Sequence, residues 1–469
     1  MRKKTTKEPQ KPQKEKTKNV VEMPLVNVHA AGIDIGDKEH AVAVPGPGGK
    51  QKVRTFGTMT SDLKEIIAWL EEEGINSVAM ESTGVYWKPL FSMLVKESFE
   101  VLLVNSRHVK NVYGRKTDED DAMWIQKLHS CGLLRSSFLP DAEQEDLRKL
   151  TRHRRTLTEE SSRFINRLQR SLELMNIKFH TVINDITGKS GLAVVEAIIA
   201  GERNAENFLP LIDGRVKADA QTICRSLEGN WHEKDLFILK ECYESYKFFQ
   251  SRIAVCDKEI ETQLLKYEAY CNDGEIEIKK ERSKAPVKAI PDFKKKKKGK
   301  NHPKFDIRSY LYRIYGIDVM AMSGLNEMGA LTLLAELGTD LKNKWPRVEQ
   351  FISWLNVCPN NKISGGKLIS SRLMKKKANA ASQAFRYAAG GVQNSKSWIG
   401  DYFRRSKAKG GFQYACIAVA KKLATIFYHI VCNKVDFNPD LQDKYQQAHN
   451  QRKIASLEKR LAELKREAA

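Results

Sequence analysis

The sequence predicts a multidomain protein of the α/β plus all-α class, in which a mixed domain comes first and helical domains follow. Between residues 30 and 104, short apolar strands alternate with segments of helical periodicity, as in an α/β layer fold. After Pro140 the apolar residues recur at helical spacing over long stretches. The length of 469 residues also suits roughly three domains of about 150 residues each.

The α/β part opens with a predicted hairpin. Residues 30–35 and 40–45 carry alternating apolar side chains on either side of a turn at Gly36. The further elements predicted are a helix over 63–73, a strand over 77–80, a helix over 89–96 and a strand over 101–104.

Long amphipathic helices are predicted next. One covers residues 143–175 and a second covers about 230–270, with a smaller helical insert at about 190–226. Two long helices around an insert suggest a coiled-coil arm. A short coiled-coil seam near the end of the sequence consists of Ile454, Leu457, Leu461 and Leu464.

These patterns divide the chain into six segments. We predict a disordered basic arm over 1–28, an α/β catalytic domain over 29–142, a helical coiled-coil domain over 143–271, a Lys-rich linker over 272–306, a helical domain over 307–434 and a coiled-coil tail over 435–469.

The net charge of +22 is unevenly distributed along the chain. Residues 1–20 carry eight basic and two acidic side chains, residues 279–304 twelve and two, and residues 362–409 twelve and one. The rest of the chain is therefore slightly acidic. Basic side chains confined to a few segments favour docking of a polyanion, above all nucleic acid, over arms that serve only solubility.

Composition argues against several other classes of protein. Hydrophobic residues make up 41% of the chain, and no run approaches the roughly 18 apolar residues of a membrane span. The first 20 residues are polar and basic, unlike the apolar centre of a secretory signal. Eight scattered cysteines form no Cys-x-x-Cys pair, which indicates neither a zinc site nor a disulfide framework. We expect a reducing, cytoplasmic setting and no membrane partner.

Four acidic residues occupy positions typical of a metal site. Asp34 ends the first strand, and Glu81 follows the strand at 77–80. Asp118 and Asp121 lie three residues apart at the start of a helix, hence on one helix face. Carboxylates at the C-terminal ends of neighbouring strands would share a crevice. Two Mg²⁺ ions about 3.5–4 Å apart would relieve their repulsion and serve in-line displacement at a phosphodiester.

Each of these acids also has a structural alternative. An aspartate after a strand is commonly a turn former or a helix cap, Glu81 could simply be solvated, and acids at a helix start favour the helix dipole. Asp37 and Asp120 are acidic neighbours that fit the spacing almost as well. We rank them lower because Asp37 falls in the hairpin turn and Asp120 lies off the shared helix face.

Five motifs, in order along the chain, carry a resemblance to a known family. They are Ala31-Gly-Ile-Asp-Ile-Gly, Met80-Glu-Ser-Thr-Gly-Val-Tyr-Trp, Val104-Asn-Ser-Arg-His-Val-Lys, Lys116-Thr-Asp-Glu-Asp-Asp-Ala and Leu147-Arg-Lys-Leu-Thr-Arg-His-Arg-Arg. Over residues 30–432 the chain resembles the DEDD insertion-sequence transposases. The resemblance implies an RNase H/RuvC-like domain followed by a distinct helical transposase domain. It also implies a metal-binding tetrad for Mg²⁺, as two ions, at Asp34, Glu81, Asp118 and Asp121.

A serine lies inside the third basic segment. Ser364 stands beside two glycines in Leu355-Asn-Val-Cys-Pro-Asn-Asn-Lys-Ile-Ser-Gly-Gly-Lys, a pattern that is typical of a turn before a helix and also suits an accessible hydroxyl near cations. The loop resembles the serine-glycine motif of the same family, which implies that Ser364 attacks DNA and forms a phosphoserine link. Ser370 and Ser371 are weaker candidates.

The same segment supplies the cations expected to bind nucleic acid. They are Lys362, Lys367, Arg372, Lys375, Lys376 and Lys377. The loop contains no histidine, so activation of the serine would have to come from the acidic site.

The resemblance implies further partners. Members of the family are described as recombinases guided by a noncoding bridge RNA that pairs with donor and target DNA. It also implies dimers or tetramers with a composite site, in which one protomer's RuvC-like domain faces another's serine domain, and a nucleoid-associated location in a prokaryote. The charge pattern suits a protein that holds backbones while base pairing reads sequence.

A glycine-containing turn in the helical domain suggests a phosphate contact. Met322-Ser-Gly-Leu-Asn-Glu-Met-Gly-Ala resembles a helix-hairpin-helix turn, whose backbone N–H groups can face a phosphate. Asn326 stands where the family usually has a second glycine, which is a departure from that pattern.

Three functions are therefore compared. The first is a DNA transposase that cuts and rejoins strands through Ser364 and the acidic tetrad. The second is a RuvC-like, structure-specific nuclease in which a metal-activated water attacks, and the third is a nucleic-acid-binding scaffold with a decayed site.

Overall fold

The computed structural model describes residues 24–82, 84–105, 118–279, 301–374 and 379–438, with single residues at 291, 293 and 299 and between 447 and 466. The chain divides into two compact units, Met1–Leu139 and Pro140–Ala469. This division lies three residues before the end predicted for the α/β domain.

The first unit is built on a five-stranded sheet with the order β3-β2-β1-β4-β5. Its strands are β1 Ala30–Ile35, β2 Glu39–Pro45, β3 Gln51–Gly57, β4 Ser77–Glu81 and β5 Glu100–Val104. The first three are antiparallel neighbours, whereas β4 lies parallel to both β1 and β5. The mixed sheet confirms the α/β expectation. The apolar pattern did not predict β3, because four of its seven residues are polar.

Helices cover both faces of this sheet. They are α1 Thr60–Glu72, α2 Trp87–Lys96 and α3 Asp118–Ser130. On one face, Ile66 of α1 and Leu90 of α2 are fully buried in a cluster with Ile33 of β1. On the other face, Ala122 of α3 packs in a cluster with Ala41 of β2. The sheet is therefore the central layer of a three-layer unit.

Helix α3 lies so close to β1 that only a glycine fits between them. A Cβ built on Gly32 would lie 2.2 Å from the backbone nitrogen of Gln126 and 2.5 Å from the backbone oxygen of Ala122. The Gln126 side chain fastens the helix at the same place, because it donates to the carbonyl of Ala30 at 3.1 Å and to the hydroxyl of Ser130 at 2.8 Å. The position of α3 is thus set by direct contact between backbones.

The second unit begins with two long antiparallel helices. They are α4 Ala142–Leu174 and α7 Glu233–Lys279. Gln263 donates to the carbonyl of Glu143 at 3.4 Å, and Gln250 donates to the hydroxyl of Ser161 at 3.0 Å, so the two helices run in opposite directions. Both predicted helices are confirmed. That the pair forms a coiled-coil arm remains a prediction.

A small helical insert connects the two long helices. Its α-helices are α5 Lys189–Ile199 and α6 Ala220–Leu227. Phe179, Ile198 and Phe208 are at most 1% exposed and belong to one core cluster. The same cluster contains Leu172 of α4 and Leu239 of α7, so the predicted insert shares its apolar core with the two long helices.

The remainder of the second unit is largely helical. Its helices are α8 Ile307–Tyr315, α9 Glu327–Leu337, α10 Leu341–Lys344, α11 Val348–Trp354, α12 Ala380–Gly391 and α13 Trp398–Asn433. Aromatic rings fill its core, where the rings of Phe385 and Phe427 meet edge to face at 5.6 Å. Two strands, β6 Asn360–Ser364 and β7 Lys367–Arg372, form a hairpin within the domain predicted to be all-helical.

Some predicted boundaries differ from the structure. Helix α7 continues to Lys279, inside the segment predicted as a linker. The N–H groups of Val26 and Asn27 donate to the carbonyl of Ser130 at 2.7 and 2.9 Å, so residues 24–28 join the first unit rather than the arm. The arm residues 1–23, the linker residues 280–290 and Thr117, which precedes the acidic helix, lie outside the described residues.

Only part of the predicted tail is described. Its described residues between 447 and 466 are helical. Three residues of the predicted seam, Ile454, Leu457 and Leu461, are each more than half exposed, and Leu464 lies outside the described residues.

One helix of the described residues is long and apolar enough to cross a membrane by length and composition. This helix is Trp398–Asn433, and half of its most apolar window is buried within the protein. Its backbone also breaks at Gly411, where φ is +80°. We interpret it as a helix that packs in the core of the second unit.

The contact at Gly32 predicts an effect on stability. Gly32→Ala should lower the free energy of unfolding by about 1–3 kcal/mol, because the added methyl group would push against the backbone of α3. Urea unfolding of the full chain measures this change. Gly214→Ala is the control, since its added Cβ would have nothing within 4 Å. Equal stability of the two variants would show that α3 is not held by this contact.

His129 predicts a loss of stability in acid. Its Nε2 lies 2.8 Å from the Ser77 hydroxyl, and burial lowers its pKa against the opposing effect of Glu100. The unfolded chain therefore binds an additional proton as the pH falls below about 6.5, and stability falls until the lower folded-state pKa is passed.

As the pH falls from 7 to 5, protonation linked to His129 should lower the free energy of unfolding by up to about 1.4 kcal/mol per pH unit. The free energies of unfolding of wild type and of His129→Gln, measured at several pH values in this range, give the contribution of His129. His40 is retained in both proteins, so its own burial-lowered pKa cancels in the comparison. Identical pH profiles for the two proteins would refute the prediction.

Candidate active site

Asp34 and Glu81 are neighbours at one edge of the sheet. Ile33 of β1 and Met80 of β4 are partners in parallel strands, so the residues that follow them come at the same level. Glu81 is 4% exposed and Asp34 is half-buried. The two carboxylates predicted to share a crevice therefore start from adjacent strand positions.

Both acids face the side of the sheet that α3 covers. Side chains alternate between the two faces of a strand, so Asp34 shares a face with Gly32, and Glu81 shares a face with Ala79. Gly32 touches α3 directly, and Ala79 packs in a cluster with Ile125 of that helix.

Helix α3 begins above these acids because it runs opposite to β1 and β4. Its last turn lies at the start of β4, where His129 contacts Ser77. Its first turn therefore lies toward the C-terminal ends of the strands. Asp118 is the first residue of the helix, and the half-buried Asp121 lies one turn before the sheet-facing Ile125.

The donor chemistry of this edge fits Mg²⁺. Asp34, Glu81 and Asp121 offer carboxylate oxygens, which Mg²⁺ prefers. Within the part of the chain that the structure describes, no three His, Cys, Asp or Glu side chains are arranged to hold a metal ion. The side chain of Asp118 and residues 106–117 lie outside that part. Coordination would have to be completed by Asp118 or by a substrate phosphate.

The two acids ranked lower differ from one another. Asp37 is exposed in the turn between β1 and β2. Asp120 is half-buried and precedes Trp124 by one turn, and Trp124 packs against the same cluster as Ile125. Asp120 and Asp121 are thus both half-buried, and each precedes by one turn a residue that packs on the same cluster. The helix face therefore distinguishes the two acids less clearly than the sequence spacing suggested.

Ser364 lies at the tip of the hairpin in the second unit. It pairs with Lys367 across a two-residue turn formed by Gly365 and Gly366. Both glycines have positive φ, +54° and +75°, as in the type I′ turn that matches the twist of a hairpin. The serine thus precedes a strand rather than the helix that the turn pattern alone suggested.

The hairpin is exposed on both faces. All residues from 359 to 369 are exposed, and Ile363, Leu368 and Ile369 keep 59–68% of their surface accessible. An isolated two-stranded hairpin is marginally stable in water. Its shape therefore depends on how its two ends are anchored.

Two residues that the sequence analysis missed hold the base of the hairpin. Asn356 is 4% exposed, and its side chain donates to the carbonyl of Met374 at 3.1 Å. Arg386 of α12 donates in turn to the carbonyl of Asn356 at 3.1 Å. Burial lowers the pKa of Arg386, against the opposing effect of Cys416.

A sequence signal for Asn356 existed. It follows helix α11 with a φ of +54°, and asparagine is one of the few residues that adopt this left-handed conformation at a helix end. Nothing in the local sequence marks Arg386.

The described cations around Ser364 share its face of the hairpin. Lys367 is the cross-strand partner of Ser364 and lies on the same face. Lys362 precedes Ser364 by two residues of β6, and Arg372 pairs with Asn360 two residues further on, so both lie on that face as well; the residue without a partner at the bulge, Ile369, belongs to β7. Lys375, Lys376 and Lys377 lie outside the described residues.

The weaker serine candidates occupy the same strand. Ser370 pairs with Lys362 and lies on the same face as Ser364, but nearer the base of the hairpin. Ser371 pairs with Asn361 on the opposite face, and its hydroxyl donates to the side chain of Asn361 at 2.8 Å.

The turn at Gly324 is shaped by packing and capping. A Cβ on Gly324 would lie 2.4 Å from the carbonyl oxygen of Ala388, so the glycine permits the close approach of α12. The side chain of Asn326 accepts a hydrogen bond from the N–H of Gly329 at 2.7 Å. One N–H group that a phosphate could have used is therefore already bound.

Two family models match the chain. A transposase model of the IS110 DEDD type matches residues 31–177, which include the acidic edge of the sheet. A model described as "Transposase IS116/IS110/IS902 family" matches residues 318–404, which include the serine hairpin. A search of curated proteins found no match.

The fold agrees with these matches. A mixed α/β sheet followed by a largely helical remainder is consistent with an RNase H-like domain and a helical domain. Together the two matches, in the order predicted from the motifs, identify a DNA-cleaving and rejoining enzyme. The chain belongs to the IS116/IS110/IS902 family of transposases.

Proposed function

We propose that this transposase cuts and rejoins DNA through Ser364, assisted by Asp34, Glu81, Asp118 and Asp121. The observation that carries the proposal is the pairing of two features on one chain. The first unit gathers acidic residues at one edge of a sheet, and the second unit presents a serine at the tip of a projecting hairpin.

The proposed step exchanges one phosphoester for another. The Ser364 oxygen attacks phosphorus, a P–O bond to the serine forms, and the P–O bond to a deoxyribose oxygen breaks. The serine hydroxyl loses its proton and the departing deoxyribose oxygen gains one. In rejoining, a DNA hydroxyl attacks the phosphoserine and Ser364 leaves with its proton restored. Because the number of phosphoester bonds is unchanged, rejoining needs no nucleotide cofactor.

The acids supply the electrostatics of this step. Bound there as two ions, Mg²⁺ would offset the phosphate charge and favour loss of the serine proton. Asp34 and Glu81 are held on adjacent strands, and the backbone contact at Gly32 fixes where α3 brings Asp118 and Asp121. A rigid support of this kind keeps the carboxylates in place without reorganisation during the reaction.

Basic residues of the hairpin position the DNA. Lys367 faces the same side as Ser364 and would hold the phosphate under attack. Lys362 and Arg372, further along the same face, would bind flanking phosphates. Lys375, Lys376 and Lys377 would extend this basic surface.

We further propose that a noncoding bridge RNA selects donor and target DNA, and that the enzyme acts as a dimer or tetramer at the nucleoid of a prokaryotic cytoplasm. In such an assembly the serine hairpin of one copy would serve the acids of another. Exposure of the hairpin on both faces supports this arrangement. The basic segments 1–20 and 279–304 support a role in holding nucleic-acid backbone.

A second candidate function is a structure-specific nuclease that uses a metal-activated water. The observation that favours it is that the acids all belong to the first unit, so hydrolysis would not need the hairpin. The two functions differ in their dependence on Ser364.

Comparison of Ser364→Ala with Asp34→Asn separates the two functions. With a plasmid that carries the element and its flanking DNA, and with RNA transcribed from it, both variants should lose at least about 1,000-fold of the Mg²⁺-dependent cleavage rate. Removal of Mg²⁺ with EDTA should abolish cleavage by wild type. Quantitative gel analysis of the cut DNA measures these rates.

Ser371→Ala is the matched control, because it removes a hydroxyl from the other face of the same hairpin. It should keep most of the activity. Cleavage by Ser364→Ala at the wild-type rate, with Asp34→Asn inactive, would instead establish the water-dependent nuclease.

A further inference from the structure

A cleft of about 470 Å³ lies in the second unit between α4, α9 and α12. Its volume falls within the range of about 300–1,000 Å³ that is usual for small-ligand sites. The lining residues that matter here are Arg152, Arg155, Glu336, Gln383 and Tyr387. Neither the serine hairpin nor the proposed acids line it.

The floor of the cleft is positively charged. Glu336 is 1% exposed, and two guanidinium groups bind it: Arg148 at 2.9 Å and Arg152 at 2.7 Å. One buried carboxylate is therefore matched by two cations. The side chain of Arg152 remains 47% exposed toward solvent.

A third cation and an aromatic ring stand at the mouth. The side chain of Arg155 is 51% exposed, contacts Glu159 at 3.6 Å and donates to Gln383 at 3.3 Å. Tyr387 follows Gln383 by one turn of α12, and it is 78% exposed. A tyrosine ring exposed to this extent buries almost none of its apolar surface in the fold.

The exposed surface continues to a corner of α13. Every residue from 407 to 414 is exposed around the backbone break at Gly411. A Cβ on Gly390 of α12 would lie 4.0 Å from the ring of Phe412, which is 49% exposed. Lys407 and Lys409 add positive charge to the same corner. Cations and exposed rings thus follow one another from the cleft along α12.

We infer that this cleft and corner bind a single strand of DNA beside the cleavage site, with a phosphate at Arg155 and an unpaired base stacked on Tyr387. A basic groove with exposed aromatic rings is the usual means of holding a single strand without regard to sequence. Base pairs of an intact duplex are stacked on one another and would leave the Tyr387 ring unused. The inference rests on the proposed function, since it takes its strand from the DNA that Ser364 cuts.

The chain connects the cleft with the hairpin. Ala380, the first residue of α12, lines the cleft, and the neighbouring Asn379 donates to the carbonyl of Trp354 at 3.5 Å, below the start of the hairpin. Strands of five and six residues extend at most about 20 Å. That length corresponds to roughly six nucleotides at the stacked spacing of duplex DNA, about 3.4 Å each, and to fewer in an extended single strand. The bound strand would therefore lie within a few nucleotides of Ser364.

Binding of a labelled 20-nucleotide oligo(dT) to the full chain in EDTA tests the inference. Tyr387→Ala should weaken binding about tenfold, and Tyr387→Phe should keep it within about twofold. Arg155→Ala should weaken binding and reduce the slope of log K against log salt by about 0.7. With an abasic strand of the same length, Tyr387→Ala should bind as wild type does.

Phe248→Ala and Arg163→Ala are matched controls, because they remove a 57% exposed ring and a 63% exposed guanidinium elsewhere on the long helices. Equal affinities of Tyr387→Ala and Phe248→Ala would overturn the inference. The assignment to DNA would be overturned if oligo(rU) bound more tightly than oligo(dT) and if Tyr387→Ala and Arg155→Ala weakened that binding equally. The binding test contains no divalent cation and therefore does not depend on cleavage. If wild type binds as expected but does not cut DNA in a separate assay with Mg²⁺, only the proposed function is rejected.

Discussion

The proposed catalytic edge depends on one contact, in which the backbone of α3 rests on Gly32. At Gly32 no side chain separates the helix from β1, so the helix can neither approach further nor slide without breaking hydrogen bonds made by Gln126. Gly32 lies at the level of Ala122. Asp34 follows Gly32 by two strand residues, at about 3.3 Å each, and Asp118 precedes Ala122 by four helical residues, at about 1.5 Å each. Because the helix runs opposite to the strand, these two nearly equal steps bring the backbone of Asp118 to the level of Asp34.

The second unit presents its proposed reactive group in a different way. Ser364 is carried on a hairpin whose sides contact solvent, and only the base is fastened, by Asn356 and Arg386. Such a hairpin gains little stability from its own packing, so the exposed serine and its cations are better explained by a partner that binds them than by the fold. In the proposed reaction the acids would organise charge and Ser364 would supply the bond.

Sequence patterns predicted most of the first unit because its strands are apolar and its helices periodic. They missed β3, which pairs with β2 but has too many polar residues to show an apolar strand pattern. They also missed the β6–β7 hairpin, because strands exposed on both sides have no apolar face to give a pattern. The residues Asp34, Glu81 and Ser364 could be chosen from motifs, but their surroundings could not. Contacts between distant segments, such as Gly32 with Gln126 or Asn356 with Met374, arise only from the tertiary fold and leave no periodic signal.

The most direct test of the central claim is mass spectrometry of the protein–DNA adduct after nuclease and trypsin treatment. Trypsin cuts after Lys362 and Lys367, which leaves Ser364 as the single hydroxyl residue of the peptide 363–367. The next peptide, 368–372, carries Ser370 and Ser371. The account predicts a phosphonucleotide on the peptide 363–367. A nucleotide on 368–372, or cleavage of DNA without any adduct, would contradict it.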